Sequence, residues 1–309
     1  APFANGMPDR EDMILTDADL PGVWRNADNE SKRGQLLTLW LTGIKIGGGL
    51  ASAVGGIFSW RLGHLDLAAW LILGGFVAAF ICELIILVIK PERIWYEGRA
   101  VAESIKTLAW RYAVCADPFP KRMTSPKAES EFRRRISSIT NQVSDRIIFE
   151  NSESVISSGM NSLRKLSFTE RRDAYIKGRT LEQRQWYSQK ARINQKRATA
   201  SWILLTLVEV AAIILAAGRV FGKWNIDFAG LMAAIISAGT AWIAVKQFSP
   251  LASAYSVATK ELGIQASKLK TINEADWAVI AADAEEAISR EHTTWLASRT
   301  GRFPNWTDT

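Results

Sequence analysis

Three ionisable residues stand inside stretches of sequence too apolar to solvate them. Lys45 lies nine residues into an apolar run at 36–60, Glu83 six residues before the end of a second at 67–89, and Glu209 eight residues into a third at 201–221. At the 1.5 Å rise of an α-helix these positions are about 13, 9 and 12 Å from one and the same side. A charge inside a bilayer is costly, so it faces a partner or a wet cavity. Two chemistries are open. One is an internal ion pair, or a carboxylic acid kept protonated by desolvation. The other is the lining of an ion pathway. Similar depth on adjacent spans makes Lys45 and Glu83 expected neighbours.

The first run adds a polar and small stripe. Thr38, Thr42, Lys45, Gly49, Ser52, Gly56 and Ser59 repeat by three or four, which places them on one helical face. Such a stripe reads either as a packing seam between helices or as a pore lining, because Gly and Ser serve both. Gly75, Ala79 and Glu83 share a face of the second run, and Glu209, Ala212 and Ala216 a face of the third.

Enzymatic constellations are missing. With His64 and His292 the sole histidines, no Ser–His–Asp set can be assembled. Gly47-Gly48-Gly49 follows no strand, so it reads as helix packing and not as a phosphate loop. Glu285 and Glu286 read as a solvated helix face. Cys82 and Cys115 give neither a disulfide framework nor zinc spacing. The expectation is a protein that is not an enzyme and uses no cofactor or metal.

The elements that must carry these residues follow from the pattern. Mean hydropathy of +0.00 hides four apolar runs, at 36–60, 67–89, 201–221 and 228–248, within a charge-dense remainder. Each has roughly the 20 residues that a bilayer crossing needs, and a helix satisfies its own backbone there. The connectors 61–66 and 222–227 are short, which forces neighbouring helices to run antiparallel. The expected fold is an all-α membrane protein, with four transmembrane helices as two antiparallel hairpins and long cytoplasmic helices.

The net charge is +7 and the pI near 9.5. The basic residues concentrate in 90–200, while in and around the connectors there is little beyond Arg61, Arg219 and Lys223. Lys and Arg accumulate in cytoplasmic loops, so this bias, and not nucleic acid, explains the charge. It predicts a multi-pass protein of the inner membrane with both termini and the central region cytoplasmic. Trp24, Trp40, Trp60, Trp95, Trp202, Trp224 and Trp242 in or near the span ends match an interfacial aromatic belt.

The central region reads as helical. Pro91 opens a segment in which Arg99 and Glu103 are four apart and can pair, and Asp117-Pro118-Phe119-Pro120 ends it. Phe132, Ile136, Ile139, Val143 and Ile147 recur at helical spacing. A polar break follows at 151–159. From Thr169 a second charged helix leads into the third run. Trp24 with Lys32, and Trp186 with Lys196, precede the two hairpins, and Lys90-Pro91 and Lys246 with Pro250 follow them. The chain thus reads as a duplication, with units at 1–150 and 169–309 and a linker at 151–168.

The stretch PERIWYEGRAVAESIKTLAWRY at 91–112, which includes Trp95, Arg99, Glu103 and Trp110, resembles the helix after the hairpin of the SLATT family. RDAYIKGR at 172–179, continuing through Trp186 and Tyr187, resembles the helix entering a second such hairpin. AEEAISREHTTW at 284–295, ending on Trp295, resembles the closing helix. The resemblance implies two tandem two-transmembrane effector domains of bacterial nucleotide-signalling conflict systems. It also implies a membrane-perforating or depolarising role, triggered by a nucleotide or a sensor protein. Combined with the stripe, it leads to the expectation of a homo-oligomeric pore in the lipid bilayer, lined by the first span and gated by the cytoplasmic helices. The alternative is a non-conducting membrane scaffold or sensor that recruits a soluble partner.

The charge bias makes one outcome testable at once. A single cysteine at position 64 should react with an impermeant thiol reagent applied to intact cells, and one at position 170 should not. The reverse pattern overturns the orientation.

Overall fold

The computed structural model describes residues 14–141, 155–223 and 228–300, with side chains placed through Ser289. After a single turn at Asp17–Asp19, helix α1 runs Gly22–Ile57. A two-stranded ribbon, Arg61–Leu62 against Leu65–Asp66, reverses the chain, with Gly63 in the left-handed region at φ 63°. Asp66 then caps α2, Leu67–Ile89, by accepting from the Ala69 N–H at 3.1 Å. Lys90 closes α2 in the left-handed conformation, and Pro91 opens α3, Pro91–Ala113, where its missing N–H costs nothing. Next come α4, Ser125–Asn141, and α5, Ser158–Lys165. Helix α6, Phe168–Tyr175, starts with a Ser167–Glu170 capping box. A π-helical segment, Ile176–Leu181, joins it to α7, Glu182–Val220. The chain ends with α8, Phe228–Lys246, α9, Phe248–Leu269, and α10, Glu274–Thr300.

The second apolar run has the bounds of α2. The first is shorter than its hydropathy suggests. Helix α1 stops at Ile57, so Ser59 lies past its end and the helical stripe finishes at Gly56. Val143, Ile147, Trp224 and residues 151–154 of the polar break lie outside the described residues.

Among the described residues, four helical stretches are long and apolar enough to cross a membrane: Gly22–Ile57, Leu67–Ile89, Phe168–Val220 and Phe228–Leu269. Their large side chains point outward. Phe76 is 61% and Phe80 64% exposed, and Leu73, Ile203, Leu204 and Ile213 are likewise exposed. A water-soluble domain would bury such residues, so these helices are not the core of a soluble protein.

Packing divides the chain into two compact units that do not follow the tandem halves of the sequence. An apolar unit takes 35–92 and 189–255, and a charged unit takes the described residues of 1–34, 93–188 and 256–309. In the charged unit, α3, α4, α5, α6 and α10 close around one core. Tyr112, Phe119 and Phe132 form one aromatic cluster, with centroids 5.2–6.0 Å apart. Tyr175 joins Trp110 to Trp277 edge-on at 5.9 and 5.8 Å. The buried Arg164 guanidinium donates to the carbonyls of Tyr112 at 2.8 Å and Phe119 at 2.9 Å, which ties down the chain where α3 ends.

In the apolar unit α1 and α2 touch backbone to backbone. A Cβ on Gly48 would meet the Gly75 carbonyl oxygen at 2.5 Å, so only glycine permits this approach. The Ser52 hydroxyl lies 3.0 Å from the carbonyl oxygens of both Gly48 and Ile72 and shares its proton between them. Gly55 faces Ala68 and Ile72, so residue numbers fall along α2 as they rise along α1. Elsewhere in this unit Gly43 faces the Trp242 ring and Gly239 faces Leu205.

The contrast between adjacent glycines gives a paired test. Gly48→Val forces α2 away and should cost about 1–3 kcal/mol by overpacking. Gly49→Val enters open space and should cost much less. Thermal unfolding of the detergent-solubilised protein measures both, and equal losses would remove the seam.

Candidate functional site

Among its described residues the charged unit holds a desolvated ionic network. It begins with a run at four-residue spacing, Arg171, Tyr175 and Arg179, all of it buried. The wider turns of the π-helical segment cancel part of the drift that this spacing has on an α-helix, so the three side chains share a face. Arg179 meets Glu285 of α10 with both prongs: Nε lies 2.9 Å from Oε1 and Nη2 2.9 Å from Oε2. The two side chains are 1% and 0% exposed. Tyr175 donates its hydroxyl to Glu285 Oε1 at 2.9 Å, and Thr107 Oγ1 of α3 lies 3.4 Å from Arg179 Nη2. Arg179 Nη1 and Thr180 Oγ1 are buried with no hydrogen-bond partner among the described residues.

Burial pushes the Arg179 pKa down, but the Glu285 charge and its hydrogen bonds outweigh that and raise it above the ordinary guanidinium value, with Glu103 and Tyr175 adding to the effect. Burial, then the Glu285 charge, pushes the Tyr175 phenol well above its ordinary value, so it remains a neutral donor. The site can therefore hold a permanent ion pair. Around it, a Cβ on Gly178 would crowd the Ile14 side chain and approach the Trp110 ring at 3.3 Å, so any larger residue there would push these side chains aside. Arg171 donates to the Leu166 carbonyl at 2.5 Å and lies 3.4 Å from Glu274. The Trp277 indole donates to the Val114 carbonyl at 2.7 Å.

Here the sequence expectation for Glu285 is overturned. It is not part of a solvated face with Glu286; it is buried, and Glu286 alone of the two is exposed. The missed signal is spacing. Trp277, Ala281, Ala284 and Ile288 recur at helical intervals, and Glu285 falls on their apolar side.

The other helical motif residues have distinct places. Trp110 is buried against Tyr175. Trp95 is partly buried beside Tyr96, and its carbonyl accepts from Ser31 at 2.9 Å. Trp186 meets Tyr187 edge-on at 5.2 Å, with Tyr187 buried. Arg99 is half-buried on α3, and on the same helix Arg93 pairs with Glu97 at 2.5 Å. The side chains of Trp295 and His292 lie outside the described residues.

In the apolar unit, Lys45 Nζ forms an ion pair with Glu83 Oε2, and the two side chains are 46% and 43% exposed. The rest of the stripe divides. Ser52 turns into the seam with α2, whereas Gly49 and Gly56 face open space. Thr38 and Thr42 are half-buried, and Ser59 is exposed beyond the helix. Glu209 is exposed on α7 and forms no ion pair among the described residues.

The buried pair predicts an asymmetric response to substitution. Arg179→Met leaves the buried Glu285 without its counter-ion and should cost about 3–5 kcal/mol, while Arg179→Met with Glu285→Leu should recover most of that. Chemical denaturation in detergent reads both, and simple additivity of the single changes would refute the coupling.

Two family models match the chain. The SMODS and SLOG-associating 2TM effector domain 3 covers residues 21–172, and the SMODS and SLOG-associating 2TM effector domain 1 covers residues 175–295. No curated protein and no solved structure gives a match. The first match holds α1 to α5 and the second runs from the end of α6 into α10, each with two of the membrane-length helices. The chain belongs to the SLATT family, a membrane protein with two of its two-transmembrane effector domains in tandem.

Proposed function

We propose that several copies of this effector assemble an ion-conducting pore in the inner membrane, as the output of a bacterial nucleotide-signalling or anti-phage conflict system, and that the charged helical unit, on the cytoplasmic side with both termini, gates it. The observation that carries this reading is the continuity of α7. It is one unbroken helix from Glu182 to Val220, so the residues that follow the Arg179–Glu285 pair continue directly into an apolar span. A helix transmits a rotation or shift along its length. A nucleotide or sensor protein that binds one arrangement of α3, α7 and α10 more tightly than another then changes the closed–open equilibrium by that difference in affinity. The resting state is shut, because an open pore collapses the cell's own ion gradients.

A second reading draws on a specific surface. Val257 and Ile264 of α9 are exposed one heptad apart, and such a pair suits a non-conducting scaffold that recruits a soluble partner.

Expression of Glu285→Gln, which weakens the ion pair while keeping its shape, should depolarise cells at a level where the unsubstituted protein does not. A potential-sensitive dye reports this, with circular dichroism to verify that the variant is folded. If purified oligomers of both forms are electrically silent in bilayers, the scaffold reading replaces the pore.

A further inference from the structure

Within the apolar unit the ionisable groups fare differently. Lys45 and Glu83 neutralise one another. Glu209 forms no ion pair among the described residues, and its side chain is exposed on the outside of α7. Its neighbours on that face, at helical spacing, are Trp202, Thr206 and Ile213, all exposed as well. Hydrocarbon cannot solvate a carboxylate, and intramembrane acids face partners or water. No described residue of the same chain pairs with it on this face. Lys45 of a neighbouring copy is a poor partner because Glu83 already holds it.

A second copy of this chain resolves the problem in another way. In a cyclic oligomer each copy brings Glu209 to the same depth by symmetry. If the face of Trp202, Thr206, Glu209 and Ile213 turns to the axis, the carboxylates form a ring around water. Such a ring repels itself unless cations occupy it, and acidic rings of this kind select cations in channels. The first span is less suited to the axis than its stripe suggests. Its Ser52 and Gly48 are turned into α2, and Gly49 and Gly56, which face open space, offer no side-chain oxygen to an ion.

We propose that α7, and not α1, faces the axis of the assembled pore, and that Glu209 forms a ring of carboxylates that binds cations and makes the pore cation-selective. This rests on the pore reading, and two measurements separate their failures. The first is disulfide cross-linking in native membranes, with Cys82 and Cys115 replaced by alanine. Thr206→Cys and Glu209→Cys should join copies on oxidation, and Phe76→Cys on α2 should not. Cross-links at 76 without any at 206 would overturn the inference whether or not the protein conducts. The second is the reversal potential of the Glu285→Gln form in a potassium chloride gradient. Potassium should be preferred over chloride. Glu209→Gln should reduce that preference at least tenfold and Glu209→Lys should invert it, with cross-linking at 206 retained. Conductance with unchanged selectivity in both variants would overturn the carboxylate ring and leave the pore. Absence of conductance in every form would overturn both.

Discussion

The charged unit depends on one buried ion pair. Removing Arg179 and Glu285 from water is tolerable only because the contact is two-pronged and Tyr175 supplies a further donor to the carboxylate. The other local features serve that geometry. The π-helical segment sets the angle from which Arg179 leaves the backbone. Gly178 lets that segment approach Trp110. Tyr175, besides donating to Glu285, stands between the rings of Trp110 and Trp277. Packing and charge are therefore coupled: the aromatic contacts exclude the water that would weaken the pair, and the pair fixes the helices that bring the aromatics together.

The same contacts join the two domains. Trp110 and Thr107 come from the first, and Arg179, Glu285 and Trp277 from the second. The backbone N–H of Asp117 donates to the Ala278 carbonyl at 2.8 Å, and Arg111 donates to the Ala282 carbonyl at 2.9 Å. The duplication visible in the sequence is thus a division of the chain and not of its core. Neither domain alone would cover the apolar faces of α3 and α10.

The spans were legible because hydrocarbon imposes one rule: about 20 apolar residues in a self-satisfied helix. Helix α2, with its Asp66 cap and Lys90-Pro91 exit, is readable almost to the residue. The seam on α1 was harder. Gly47, Gly48 and Gly49 are chemically identical, and one residue turns the helix by about 100°. The spacing rule accepts a stripe through Gly49 and Gly56, whereas the contact with α2 runs through Gly48, Ser52 and Gly55. Nothing local to α1 distinguishes them, since the choice is made by Gly75 and Ile72 across the interface. Glu285 was obscured for a related reason. Beside Glu286 it resembles any surface acid, and its partner Arg179 is 106 residues away in sequence.

The chain treats its ionic groups in three ways, and they form a series. Arg179 and Glu285 are almost wholly buried, with protein groups supplying nearly all of their solvation. Lys45 and Glu83 are paired but half-exposed, so protein supplies part of it. Glu209 is exposed with no ion pair among the described residues, and what surrounds it must supply the rest. In water that series would carry no message, because exposed charges are well solvated there. On helices of this length and hydropathy it does. Lipid tails contribute no hydrogen bonds and little polarisability, so an acid on such a face calls for a partner, enclosed water or a proton. In the charged unit the carboxylate of Glu285 finds its ionic and hydrogen-bonding partners within one copy. In the apolar unit Glu209 has no such ion pair among the described residues, and it lies on an exposed face of α7, the helix that continues from Arg179.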